Sequence, residues 1–311
     1  MGGTFFAKNY LLEKSSAMAY NQYRNGGADM EKYCDLHTHS YYSDGTASPA
    51  RIISEACGAG LSAVALTDHN TVAGLPEFLS AAEGANILAI PGIEISTGYL
   101  EKEVHIVGLF LEPKDFGTIS DFLSILNIRK EASNRALIHA LSRAGYPLDY
   151  GRIKADHAGS INRAVIAAEM LKKGYIASIQ EGFRGLLSPS GGYYTPPERI
   201  SSFEAIAFLR ALKAVPVLAH PFLDFTEEEL LSFLPKAKDC GLIAMETQYA
   251  TYSEKTAALA AKIAKDHGLL ESGGSDYHGN NKPDIQLGRG RGDLQVSHRI
   301  LETLLACKAA L

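Results

Sequence analysis

Six histidines and three carboxylates recur along this chain in types and spacings suited to holding metal ions. His37 and His39 form a His-x-His pair, and Asp44 follows a few residues later. Beyond them come Asp68-His69, Glu94, His105, His220 ahead of Pro221, and Asp276-x-His278. On an extended strand, side chains two apart share a face. His37 and His39 would therefore present both imidazoles to one side, and Asp276 and His278 would do the same. Mixed imidazole and carboxylate ligation suits Mn²⁺, Zn²⁺ or Fe²⁺ and argues against Ca²⁺.

Taken singly, each residue has an ordinary structural role open to it. His105 sits in an apolar run and could be a hydrogen-bonded core histidine. Asp44-Gly45 also reads as a turn, Glu94 could form a salt bridge, and His220 could cap a strand. The joint pattern is harder to explain that way. So many polar groups gathered at one mouth require cations to neutralise and coordinate them.

The elements that would gather them alternate strand and helix from residue 31 onward. Strands are expected at 32–36, 63–66, 87–95, 104–111, 215–219, 242–246 and 269–272, and nearly every one ends in or carries a ligand-type residue. Helices are expected at 49–59, 76–83, 202–212, 226–240, 254–267 and 297–310. Ser48-Pro49 supplies an N-cap with Pro at the first helical position. This is βαβ rhythm, implying a parallel sheet or barrel, and barrels place active sites at the C-terminal strand ends. Between about 118 and 188 the rhythm stops, and helices are expected at 119–144, 161–173 and 177–187. Ser188-Pro189-Ser190-Gly191-Gly192 reads as the exit loop. The domain reading is an N-terminal extension at 1–30 (a docking helix or an arm), a barrel from 31–115 and 193–311, and a helical insertion at 116–192.

Composition narrows the class. The chain has 311 residues, 46% hydrophobic, with 30 Lys+Arg against 35 Asp+Glu. That is enough core for stability without staples, and the mildly acidic balance does not indicate a nucleic-acid-binding surface. No apolar run is long enough to span a bilayer, so a soluble cytoplasmic protein is expected. Cys34, Cys57, Cys240 and Cys307 are scattered without disulfide or zinc-ribbon spacing and read as ordinary buried thiols.

The segments Asp35-Leu36-His37-Thr38-His39-Ser40, Thr67-Asp68-His69-Asn70, Gly92-Ile93-Glu94, Ala219-His220-Pro221 and Gly273-Gly274-Ser275-Asp276-Tyr277-His278 resemble the PHP family, named for polymerase and histidinol phosphatase. The resemblance runs from about residue 31 to the C-terminus. The helical insertion is similar to the branch of metal-dependent phosphoesterases acting on nucleoside 3′,5′-bisphosphates and on 5′-ends of short RNA. It implies an α/β fold, a distorted (β/α)7 barrel, with a site for up to three divalent ions. By motif, His37, His39, Glu94 and Asp276 would hold the first ion. Glu94, His105 and His220 would hold the second, with Glu94 bridging, and Asp44, His69 and His278 the third.

Such a cluster acidifies a water held between cations, positions phosphate oxygens and stabilises the leaving oxygen. A phosphomonoester of a nucleotide, or the end of a short oligonucleotide, is the expected substrate. No Gly-x-Ser-x-Gly motif offers a competing nucleophile. Asp68, beside His69, is expected to orient a ligand or handle a proton, with Glu94 and Asp276 as the other catalytic carboxylates. Arg129, Arg135 and Arg163, all in the insertion, are candidates for gripping phosphate. Relatives carry Arg-Pro-His where this chain has Arg163-Ala164-Val165, so one substrate-contacting histidine is absent. His139, His157, His267 and His298 fall off the strand-end pattern and read as surface residues. The rivals are a histidinol-phosphate phosphatase, a non-catalytic metal-stabilised module, and C–N bond hydrolysis.

Overall fold

A computed structural model describes residues 32–157 and 161–311. The expected arm at 1–30 lies outside the described residues. From Tyr33 to Leu311 the chain forms one compact unit.

Eight strands are present among the described residues: β1 (Tyr33–Asp35), β2 (Ala63–Leu66), β3 (Leu88–Tyr99), β4 (Lys102–Leu109), β5 (Val215–Leu218), β6 (Ala244–Tyr249), β7 (Leu270–Gly274) and β8 (Val296–Ser297). Their order in the sheet is β7-β6-β5-β4-β3-β2-β1-β8. β1, β2 and β3 run parallel, as do β5, β6 and β7, while β4 is antiparallel to both β3 and β5. The short β8 lies antiparallel against the start of β1.

Beyond β1 the chain leaves β8 and turns to β7, closing the barrel. Leu36 N–H donates to Gly273 O at 3.2 Å, Asp276 N–H to His37 O at 2.8 Å and His39 N–H to Tyr277 O at 2.9 Å. The buried Asp35 carboxylate clips this seam, accepting from Ser275 N–H (2.9 Å), Ser275 Oγ–H (2.5 Å) and Gly288 N–H (2.7 Å). Only glycine fits at 274, because a Cβ there would lie 2.4 Å from His37 Cβ and 2.6 Å from its backbone nitrogen.

The sequence pattern implied parallel strands throughout, and the β3–β4 hairpin departs from it. β3 continues past the expected end at 95 to Tyr99 and turns through Leu100, whose φ is +53°. A non-glycine residue with positive φ gives no turn signal in the sequence. The consequence is local to the site, because the start of β4 meets the same mouth as the ends of its neighbours.

Helices α1 (Pro49–Gly58), α2 (Leu75–Ala81), α7 (Ser202–Ala211), α9 (Glu227–Asp239), α10 (Glu254–Asp266) and α11 (His298–Ala309) accompany the strands, with a single turn, α8 (Pro221–Asp224), after His220. Their starts are chemically marked. Ser48 Oγ accepts from Arg51 N–H with Pro49 in the first turn, and capping boxes pair Ser201 with Glu204 and Thr226 with Glu229.

Between β4 and β5 stand α3 (Phe116–Arg143), α4 (Tyr150–Asp156), α5 (Arg163–Lys172) and α6 (Ile179–Arg184). α3 belongs to two cores at once. Ile119, Leu123 and Leu126 pack into the barrel core, whereas Leu137, Ile138 and Leu141 join a separate cluster with Ile166, Met170 and Leu187. Beyond this bridging helix, Arg163, Phe183 and Tyr194 share a cleft with Asp44, His69 and His105. Cys34 is buried as expected, but Cys57 is exposed and Cys240 and Cys307 are intermediate. Of the histidines expected at the surface, His157 Nε2 lies 3.4 Å from Ser43 O, and His298 Nδ1 is 2.7 Å from Ser62 Oγ.

Candidate metal centre

The nine ligand-type residues picked out from the sequence converge at this mouth. Four groups of them have donor atoms mutually within 4.8 Å: His39, Asp44, His69 and His278; His37, His39 and Asp276; His37, Glu94 and His220; His69, Glu94 and His105. Glu94 is at the centre. Its Oε2 lies 3.2 Å from His37 Nε2, 3.2 Å from His39 Nε2 and 3.1 Å from His69 Nδ1. Its Oε1 lies 2.8 Å from His105 Nδ1 and 3.1 Å from His220 Nε2. The second focus is Asp44, whose Oδ1 is 3.1 Å from His278 Nε2 and 3.7 Å from His39 Nδ1. The partition differs from that implied by family resemblance in three respects, one being that His69 also reaches the Glu94–His105 group. His39 also reaches the Asp44 group, and His37 also reaches the Glu94–His220 group.

The hairpin explains how His105 joins. It sits opposite Ser96 on β3, near the start of antiparallel β4, so it reaches the mouth from a strand's beginning. His220 and Asp276 hold positive φ, +26° and +54°. Left-handed backbone at non-glycine residues is costly and concentrates where a site demands it.

The surrounding groups fix which nitrogen faces inward. Glu246, on β6, accepts from His37 Nδ1–H at 2.8 Å and from the His220 backbone N–H at 2.7 Å. With its proton on Nδ1, His37 turns the Nε2 lone pair toward the cluster. His278 Nδ1–H donates to Asp276 O at 2.8 Å, leaving its Nε2 lone pair aimed at the Asp44 carboxylate. Asp276 Oδ2 accepts from Tyr249 O–H (2.7 Å) and Lys282 Nζ (2.6 Å), so Oδ1 remains to face His37 and His39.

Lone pair facing lone pair in a buried site is stable only with positive charge between them. Glu94 Oε2, both ring nitrogens of His105, His69 Nδ1 and His220 Nδ1 are buried without hydrogen bonds. The electrostatics point the same way. Burial pushes the Glu94 carboxyl upward, but His69, His105 and His37 hold it well below its ordinary value. Burial lowers both the His37 and His39 imidazoles, yet Glu94 and Glu246 raise His37 well above its ordinary value, and Asp276, Glu94 and Asp44 raise His39 to about 9. Without a metal these carboxylates demand protons on their neighbours, and a divalent cation takes their place. The donor set therefore fits divalent metal ions.

The other expected site residues lie further out. Asp68 is buried and accepts from Ser40 N–H (2.7 Å), Ser40 Oγ–H (2.6 Å) and Ser43 Oγ–H (2.6 Å), so it anchors the 40–44 loop that presents Asp44. Ser43 Oγ is in turn 3.5 Å from His39 Nδ1. Arg163 lines a cleft of about 250 Å³ whose floor includes Asp44, His69 and His105. Arg129 pairs with exposed Glu198, and Arg135 pairs with Glu131 one turn away while stacking on Tyr150; neither lines the cleft. Val165, in place of the relatives' histidine, packs against the apolar cluster of the helical segment.

Sequence reasoning missed six groups that the fold brings here: Glu246, Tyr249, Lys282, Glu103 and the cleft cations Lys130 and Arg199. Glu246 had a signal, since it ends an expected strand as the ligands do. Glu103 lies 3.5 Å from His105 Nε2 and pairs with Arg199 at 2.6 Å. No helix of the described residues is long and apolar enough to cross a membrane.

Comparison with known proteins identifies the family of the fold. Residues 35–188 match the PHP domain family model. A 5′-3′ exoribonuclease Rnm from Salmonella typhimurium is 31% identical over 260 residues, covering 82% of this chain and 88% of that protein. A 3′,5′-nucleoside bisphosphate phosphatase from Chromobacterium violaceum is 29% identical over 247 residues, covering 78% and 86%. A solved structure from Bifidobacterium adolescentis, provisionally designated a metal-dependent phosphoesterase, superposes with a TM-score of 0.79 at 25% identity, covering 90% of this chain and 98% of that one. With its nearly closed barrel and its Glu94-centred donors, the chain belongs to the PHP family and is a metal-dependent phosphoesterase.

Proposed function

We propose that the chain removes phosphate from nucleotides, such as nucleoside 3′,5′-bisphosphates, or acts at the 5′-ends of short oligonucleotides. The observation that carries this reading is the cleft that opens onto the candidate ligand cluster at His69 and His105, in which Lys130, Arg163 and Arg199 stand beside Asp44, Glu103 and Glu198. The relatives named for nucleotide and RNA substrates support it.

Up to three divalent ions, held by His37, His39, Asp44, His69, Glu94, His105, His220, Asp276 and His278, would supply Lewis acidity and a nucleophile from water at neutral pH. The chain's residues do the rest. Glu94 keeps its charge because five imidazoles surround it, and Glu246 holds His37 in the tautomer that ligates. Half-buried Phe183 adds aromatic surface to the cleft, against which a nucleobase can lie. The helical segment, 116–192, acts as the lid over this cleft and shields the reacting phosphate from bulk water.

The test is phosphate release by Mn²⁺-loaded protein from nucleoside 3′,5′-bisphosphates, nucleoside monophosphates, 5′-phosphorylated oligonucleotides and histidinol phosphate. Selective turnover of a nucleotide or oligonucleotide is the expected result. Preference for histidinol phosphate, or no release with metal bound, would refute the reading.

A further inference from the structure

Within the phosphoesterase reading, on which this inference rests, we propose that Lys130 is the specificity-determining cation that holds a second, non-scissile anionic group of the substrate. Leu126, Lys130 and Asn134 recur at four-residue spacing on α3 and all line the cleft. Because Asp44, His69 and His105 form the cleft's floor, an ester whose phosphorus reaches the metal ligands leaves the remainder of its structure beside this helical face.

The three cations of the cleft are not equivalent. Arg199 Nη2 lies 2.6 Å from Glu103 Oε2, and Arg163 Nη2 lies 3.5 Å from the same oxygen. Arg163 also donates to Leu187 O at 3.4 Å and stacks on Tyr194, its guanidinium 4.5 Å from the ring centre. Both arginines thus balance an internal carboxylate that also faces the metal-ligating His105. Asn134 is engaged too, donating to Ile161 O at 2.8 Å. Lys130 makes no hydrogen bond or ion pair with the described residues. It is only partly exposed, and burial lowers its pKa against the more distant pull of Asp44 and Glu103. An ammonium held away from water without a partner is an arrangement completed by an incoming anion. Lysine meets that anion as a point charge, without the planar constraint of a guanidinium. It therefore accepts either the second phosphate of a nucleoside bisphosphate or the next phosphodiester of an oligonucleotide.

The experiment compares wild type, K130A and the volume-preserving K130M, each with bound metal quantified. It measures kcat/KM for a nucleoside 3′,5′-bisphosphate, a 5′-phosphorylated dinucleotide and the nucleoside monophosphate sharing the scissile phosphate. The preference for doubly anionic substrates over the monophosphate should fall by about 10- to 100-fold in both variants, the worth of one charge-assisted contact. K130R should restore most of it, and metal content should match wild type. Whichever substrate loses its advantage identifies the source of the anion. A preference ratio equal to wild type's, or loss of metal in both variants, overturns the proposal. If the wild-type protein leaves every substrate intact, the phosphoesterase reading fails. Calorimetric binding of the intact bisphosphate then decides the Lys130 claim separately, and equal affinity for wild type and K130M would refute it.

Discussion

Glu246 has no place in a ligand list, yet the geometry makes it a determinant of metal affinity. One carboxylate oxygen accepts from His37 Nδ1–H at 2.8 Å and the other from His220 N–H at 2.7 Å, with the side chain almost wholly buried. Glu246→Gln preserves shape and removes this double acceptance. If the amide oxygen faces His37, the amide NH₂ meets the His220 N–H, donor against donor. If the amide flips, its NH₂ faces His37 Nδ1, and the imidazole must move its proton to Nε2, the nitrogen that should ligate. Either way one charge-assisted hydrogen bond is lost, about 1.5–3 kcal/mol. Loss of an outer partner of a ligating histidine weakens metal binding by roughly 10- to 100-fold, which at about 1.4 kcal/mol per decade agrees with the first figure. Competition against a chelating dye for Mn²⁺ or Zn²⁺ measures this directly. Thermal melts in excess chelator separate loss of affinity from loss of fold. Metal affinity within twofold of wild type would refute the assigned tautomer.

Four further outcomes follow from the same geometry. Glu94→Gln removes the charge shared by five imidazoles, so turnover and part of the bound metal should both be lost; full metal content and full rate would mean the cluster is misassigned. Asp68→Asn should cost about 1–3 kcal/mol in urea unfolding by loosening the 40–44 loop, whereas a shifted pH–rate profile with unchanged stability would instead give Asp68 a proton-handling role. Arg135→Ala, which removes an exposed ion pair one helical turn long, should change stability by no more than about 0.5 kcal/mol and leave kcat/KM within twofold; a tenfold loss would return Arg135 to the substrate site. Because His37 and His39 are raised by their carboxylate neighbours, they carry protons in the metal-free protein until the pH climbs through their raised values. Metal titrated in at pH 7 should therefore release protons, detectable as a buffer-dependent binding enthalpy, and a buffer-independent enthalpy would contradict the charge assignment.

The nine ligand-type residues were legible because ligation restricts residue type and a barrel restricts position. His37 with His39, and Asp276 with His278, announce a shared face by spacing alone. His105 was legible by type but not by placement. Its arrival depends on a strand reversal through Leu100, a residue that carries no turn signal, so strand-end logic reached the right residue through the wrong strand direction. The arginines show the opposite limit. On a helix, type says only that a side chain could grip phosphate, and its facing is decided by packing over the whole segment. Thus Arg163 reaches the cleft, while Arg129 and Arg135 on α3 are engaged elsewhere by Glu198 and Glu131. Glu246 ends an expected strand as the ligands do, but its role, like that of Glu103, lay beyond reach for a further reason. Glu246 acts on His37 and His220, which other parts of the barrel supply, and Glu103 joins His105 on β4 to Arg199 from beyond the helical segment; both roles depend on parts of the chain distant in sequence. The candidate ligands are therefore a property of local sequence, whereas the tautomers and charge balance that would let them bind metal are a property of the nearly closed barrel.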